Sequence, residues 1–146
     1  MREMIKIWVA LVVAVTVVAV ASPAVAQDAV SLEVRSILAT VDGDEFDPRL
    51  DPLRGRLERG FSDYSSFRQL DLQSQTVERG QEASFDLPTD DTLLLTYNGR
   101  ADEFVKLGLV LESRLSTTLR ATPGSTFFQA GLRHEDGMLI LAITVE

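Results

Sequence analysis

Residues 104–111 read FVKLGLVL and residues 138–145 read MLILAITV. In the first stretch the aliphatic side chains fall mostly on alternate residues, so one face of a pleated strand is wholly apolar. The second stretch is apolar on both faces, which is typical of a strand in the middle of a sheet that is covered above and below. These two stretches predict a fold dominated by β-strands.

The neighbouring sequence continues the strand pattern. One strand is expected over 31–41, and further strands begin near 66, 83, 93, 115 and 126, separated by turn signals such as Asn98-Gly99 and Pro123-Gly124. A spacing of about 8–12 residues between short strands is typical of a sandwich. The sequence therefore predicts an α+β fold, a mostly antiparallel β-sandwich-like domain with one short helix.

The helix is predicted at about 48–60. Asp47 is a good N-cap and Pro48 suits the first helical position, while Asp51-Pro52 repeats the same signal four residues later. An apolar stripe of leucines at helical spacing follows, and Gly60 is placed to end the helix in the left-handed conformation.

The first 26 residues have the pattern of a signal peptide. A short basic start precedes a run of about 15 apolar residues, and Ala24-Val25-Ala26 forms a small-x-small cleavage site. The run is shorter than the roughly 20 residues of a membrane-spanning helix. We therefore expect residues 27–146 to form a single exported domain, periplasmic or extracellular, without a membrane span after cleavage; an uncleaved N-terminal anchor is the alternative.

Charge and composition restrict the function. The formal net charge is −8, and it becomes −9 if the basic residues Arg2 and Lys6 and the acidic residue Glu3 are removed. An acidic surface argues against nucleic acid and anionic membranes as partners. The absence of cysteine excludes thiol chemistry and cysteine zinc sites.

An acidic loop is the sharpest chemical feature. Asp42, Asp44 and Asp47, with Glu45 and Asp51, supply the oxygen ligands that Ca²⁺ prefers, so a calcium-dependent binding module is one hypothesis. The spacing departs from an EF-hand loop, and capping of the helix explains Asp47 equally well.

His134 is the single histidine, and any catalytic triad would have to use it. It is expected in an exposed polar loop beside Glu135 and Asp136, and a small hydrolase or lyase using these groups is a second hypothesis. Ser65 and Ser66 belong to no Gly-x-Ser-x-Gly elbow and are expected to form local hydrogen bonds.

Phe127 and Phe128 are adjacent, so a strand would direct one ring to each face. Either the strand is covered on both sides, or one ring is exposed and is a candidate binding residue.

The order of these motifs resembles small exported proteins of Gram-negative bacteria that have no assigned activity. Residues 119–131, LRATPGSTFFQAG, are also similar to a strand–Gly–strand pattern of outer-membrane secretins. The resemblance implies a role near envelope assembly and supplies no catalytic residues. The leading hypothesis is a non-enzymatic envelope protein that binds or assembles with another envelope protein and uses no cofactor.

Overall fold

The computed structural model describes residues 28–112 and 115–146. The predicted signal peptide, residues 1–26, lies outside these ranges. Two four-stranded antiparallel sheets pack on each other, as the strand pattern predicted. Sheet I has the order β2-β1-β8-β7 and comprises β1 (Ala29–Thr40), β2 (Ser66–Glu78), β7 (Thr126–His134) and β8 (Gly137–Val145). Sheet II has the order β3-β4-β5-β6 and comprises β3 (Glu82–Asp86), β4 (Thr92–Ala101), β5 (Phe104–Leu111) and β6 (Leu115–Ala121).

Sheet I is covered on both faces, and its strand β8 shows why the C-terminal run has no polar face. Leu139, Leu141 and Ile143 belong to the core between the two sheets. Ile140 and Ala142 point the other way, into a second core that they share with the buried leucines of the helical segment. We call this second core the helix-side core. Because β8 lies between β1 and β7, both of its faces lose contact with water, as predicted for a central strand.

The helical segment has two parts where the sequence predicted one helix. A 3₁₀ helix spans Pro48–Leu53 and α1 spans Arg54–Gly60. Pro52 lies inside the first part and has no N–H to donate, so the carbonyl of Arg49 accepts from Arg35 Nη1 at 3.1 Å instead. Gly60 is the last residue of α1, and the expectation of a left-handed Gly60 is wrong, because its φ is not positive and the backbone N–H of Phe61 closes the final turn on Leu57.

Two β-bulges redirect side chains within sheet I. The pairing of β1 with β2 skips Leu70, and the pairing of β7 with β8 skips Gly131, whose φ is +120°. Each extra residue reverses the alternation of faces along its strand. Phe67 therefore enters the helix-side core while Val77 enters the core between the sheets.

Two predicted turns lie inside strands. Asn98-Gly99 forms a bulge in β4, and the chain reverses at Asp102, whose φ is +55°. Similarly, β7 continues through His134, so the polar loop expected around His134 shortens to a tight turn at Glu135–Asp136. Pro123-Gly124 does form a turn, with Gly124 at φ +84°. Neither described range contains a helix long and apolar enough to cross a membrane.

Candidate functional site

A groove with a volume of about 660 Å³ lies at one end of the sandwich. The C-terminal end of β1, the 41–47 loop, the start of β2 and the β7–β8 turn border it. We call it the acidic groove. Its lining comprises Leu38, Thr40, Asp42, Glu45, Phe46, Asp47, Pro48, Arg49, Ser66, Phe67, Arg68, Glu135 and Asp136.

The 41–47 loop is held against β2 by backbone and hydroxyl hydrogen bonds. The N–H of Asp47 donates to the carbonyl of Phe67 at 2.9 Å, and the N–H of Phe67 donates to the carbonyl of Glu45 at 2.9 Å. Ser65 Oγ donates to the carbonyl of Val41 at 3.1 Å, and Ser66 Oγ donates to that of Glu45 at 3.1 Å. The two serines therefore position the acidic loop, a long-range role in place of the local turn bonds expected from sequence.

Asp47 organises the wall of the groove. Its Oδ1 accepts the N–H of Arg49 at 3.0 Å as a helix N-cap, and its Oδ2 accepts the N–H of Gln69 at 3.0 Å. Arg49 Nη2 donates to Oδ2 at 2.7 Å, and the Asp47 side chain is only 9% exposed. The hydrogen bonds from Arg49 hold the pKa of the Asp47 carboxyl well below its ordinary value, and they raise the pKa of Arg49.

The floor of the groove is apolar and its rim is acidic. Leu38 and Phe67 are buried. The centroid of the Phe46 ring lies 5.8 Å from that of Phe67, and the Arg54 guanidinium lies 4.3 Å from the centroid of the Phe46 ring. Among the residues described, three exposed carboxylates of the rim form no ion pair. These are Asp42, Glu45 and Asp136.

The three metal candidates, Asp42, Asp44 and Asp47, lie on this loop but do not converge. Within 28–112 and 115–146, no three acidic or histidine side chains are grouped so that they could hold a metal ion. Both oxygens of Asp47 already accept hydrogen bonds from Arg49. A cation there would have to displace a guanidinium and leave backbone N–H groups unpaired.

His134 lies at the end of β7 and is only 19% exposed at its side chain, in contrast with the exposed loop position expected. Its Nε2 is 3.9 Å from Glu135 Oε1, and it does not line the acidic groove. Glu135 and Asp136 do line the groove, and Glu135 lies 3.8 Å from Arg68. Glu135 and Asp136 therefore border the same groove as the 41–47 loop, whereas the His134 imidazole lies outside the groove.

Phe127 and Phe128 are both partly buried, one on each face of sheet I. Phe127 packs against the core between the sheets. Phe128 packs against the helix-side core, with its ring edge-on to Phe61 at 6.0 Å and the Arg56 guanidinium at 4.6 Å. Two-sided packing accounts for both rings, and a binding role for either remains a prediction.

Sequence reasoning missed the contribution of β2 to the groove. Arg68 lies opposite Leu38 in the β1–β2 pairing and faces the β7–β8 turn, a placement that depends on strands far apart in the chain. Asp42 and Asp136 are 94 residues apart in the sequence, and the fold brings them to one groove. No protein-family model, no curated protein and no solved structure matches this chain.

Proposed function

We propose that the protein is a non-enzymatic exported envelope protein that uses the acidic groove to bind a partner protein. The supporting observation is the combination of an apolar floor with three carboxylates, those of Asp42, Glu45 and Asp136, that form no ion pair with any described residue. Such a surface is complementary to a segment that carries Lys or Arg beside apolar side chains. Export is inferred from the N-terminal signal-peptide pattern.

The chemistry of the hydroxyl groups supports binding rather than nucleophilic attack. Ser66 Oγ donates to the Glu45 carbonyl at 3.1 Å, and Thr40 Oγ1 donates to the Asp42 carbonyl at 3.4 Å. A hydroxyl nucleophile would instead donate to a general base, and within the described part of the chain both hydroxyls donate to backbone carbonyls.

Hydrogen bonds hold the 41–47 loop in place, so the groove is a preformed binding surface. Backbone bonds flank the loop that carries Asp42 and Glu45: the Ser65 N–H, just before β2, donates to the carbonyl of Thr40, the last residue of β1, at 2.9 Å, and the Asp47 N–H donates to the Phe67 carbonyl of β2 at 2.9 Å. A preformed site loses little conformational entropy on binding, so its carboxylates can add affinity and steer a basic partner.

The test is capture from an envelope fraction by the tagged protein, followed by cross-linking and identification of the bound segment. A groove variant, D42N/E45Q/D136N, removes the three unpaired charges. A control variant, D63N/D102N/E103Q, removes the same number of exposed charges outside the groove.

We expect the wild type and the control variant to retain the same partner and the groove variant to lose it. The affinity should also fall as salt is raised, because the rim charges are exposed and screened. A partner retained equally by the groove variant, or retention of no partner by the wild type, would refute the proposal.

A further inference from the structure

The outer face of sheet II carries a pair of cations that the acidic groove does not involve. In the β5–β6 pairing, Lys106 lies directly opposite Arg120, and Gly108 lies opposite Thr118. These residues share the outer face, because the alternate residues, such as Leu107 and Leu119, pack toward the core between the sheets.

Gly108, which has no side chain, leaves space on the outer face next to Asn98. A Cβ placed on Gly108 would lie 3.5 Å from Asn98 Nδ2, so the Asn98 amide borders the space that the glycine leaves open. A recess of about 360 Å³ is lined here by Asn98, Lys106, Thr118 and Arg120, together with Leu107 and Leu119. We call this recess the basic depression.

The two cations of the basic depression lie directly opposite each other on adjacent strands. Like charges directly opposite each other on adjacent strands destabilise a sheet. Neither Lys106 nor Arg120 forms an ion pair in the described part of the chain, although the whole sequence has 22 acidic and 14 basic residues. Glu82 shares a cross-strand row with Gly108, but it lies on β3, where its carboxylate meets the Thr96 hydroxyl at 3.5 Å.

We propose that the basic depression binds a doubly charged oxyanion, specifically a phosphate group. A phosphate carries close to two negative charges and three acceptor oxygens at neutral pH, which matches two cations flanked by an amide and a hydroxyl. Binding would replace the repulsion between Lys106 and Arg120 with two charge-assisted hydrogen bonds. The net charge of −8 opposes approach to an anionic bilayer, so a free phosphate ester is the expected source.

The probes are inorganic phosphate and vesicles of phosphatidylcholine with and without phosphatidic acid. Isotope-labelled protein is titrated with phosphate against sodium chloride of matched ionic strength, and amide chemical shifts are recorded. We expect saturable shifts at Lys106, Gly108 and Thr118. Binding only to vesicles that contain phosphatidic acid would support a lipid headgroup as the source of the same phosphate chemistry.

Three variants locate the site. K106Q/R120Q should weaken phosphate binding at least about tenfold, because a hydrogen bond to a charged group contributes about 1.4 kcal/mol or more. R133Q removes an exposed arginine elsewhere and should bind like the wild type. G108A adds a methyl group beside Asn98, which lines the depression, and because its Cβ meets only ordinary contacts at 3.5 and 3.7 Å, the variant should fold normally and bind phosphate more weakly.

Phosphate shifts no larger than those with chloride, together with no response to phosphatidic acid, would overturn the proposal. So would equal binding by K106Q/R120Q and R133Q. Wild-type affinity in a folded G108A protein would overturn the placement of the anion in the depression. None of these outcomes bears on the acidic groove, so the two proposals can fail independently.

Discussion

Replacing Asp47 with asparagine should lower the free energy of unfolding, and the size of the loss follows from its contacts. An amide keeps one acceptor oxygen, so either the Arg49 N–H or the Gln69 N–H, each now bonded at 3.0 Å, loses its acceptor. An unpaired backbone N–H costs about 1–3 kcal/mol, and loss of the ion pair with the exposed Arg49 guanidinium acts in the same direction. We therefore expect D47N to be less stable by about 1–3 kcal/mol at neutral pH.

The stability difference between wild type and D47N should depend on pH, and the pKa of Asp47 sets the direction of that dependence. The pKa of the Asp47 carboxyl in the folded protein lies below its ordinary value of 3.8. The stabilisation is therefore fully present above the unfolded-state pKa and is lost as the pH falls from there toward the folded-state pKa. The stability difference between wild type and D47N should accordingly shrink once the pH drops below 3.8.

The assay is urea unfolding followed by far-ultraviolet circular dichroism, with linear extrapolation to water. D44N is the matched control, because Asp44 lies exposed on the same loop and its side chain makes no hydrogen bond or ion pair among the described residues. The reasoning is refuted if D47N falls within about 0.5 kcal/mol of the wild type at neutral pH. The reasoning is also refuted if the difference in free energy of unfolding between wild type and D47N does not decrease below pH 3.8.

Three further substitutions test the packing. We expect S36A to raise the free energy of unfolding by about 1 kcal/mol, because Ser36 Oγ is fully buried with no hydrogen-bond partner in the described chain; a loss in the same urea assay would contradict this. G137A should lower the free energy of unfolding by about 1–3 kcal/mol or more, since its Cβ would overlap the Ala39 carbonyl oxygen, whereas the Cβ of G60A meets nothing within 4 Å and should cost nothing. L57A should lose about 2–5 kcal/mol and speed hydrogen exchange in α1 more than in β5, because Leu57 is fully buried in the helix-side core; equal effects on both would argue against a separate core.

Strand identity was largely predictable because alternation is a local signal. The strand-like stretch 104–111 matches β5, the strand expected to begin near 115 is β6, and the apolar C-terminal run is the central strand β8. Asp47 also caps the helical segment as predicted, since a cap needs only residues two positions apart.

Bulges were the main source of error. Asn98-Gly99 and Gly131 have the composition of turns, yet both lie within strands because the flanking residues find partners across the sheet. A bulge adds one residue without changing local propensity, so packing on the two faces decides whether it forms.

Local sequence was sufficient to predict the kind of elements, the two-sided burial of the last strand and the acidic character of the 41–47 loop. The pairing of distant strands was needed to bring this loop to one groove with Arg68 and the β7–β8 turn, and to set Lys106 directly opposite Arg120. The reason is that periodicity reports which side of its own strand a residue occupies, whereas both candidate sites depend on register between strands. Register is set by the joint burial of side chains distant in the chain, such as Leu32 opposite Val145.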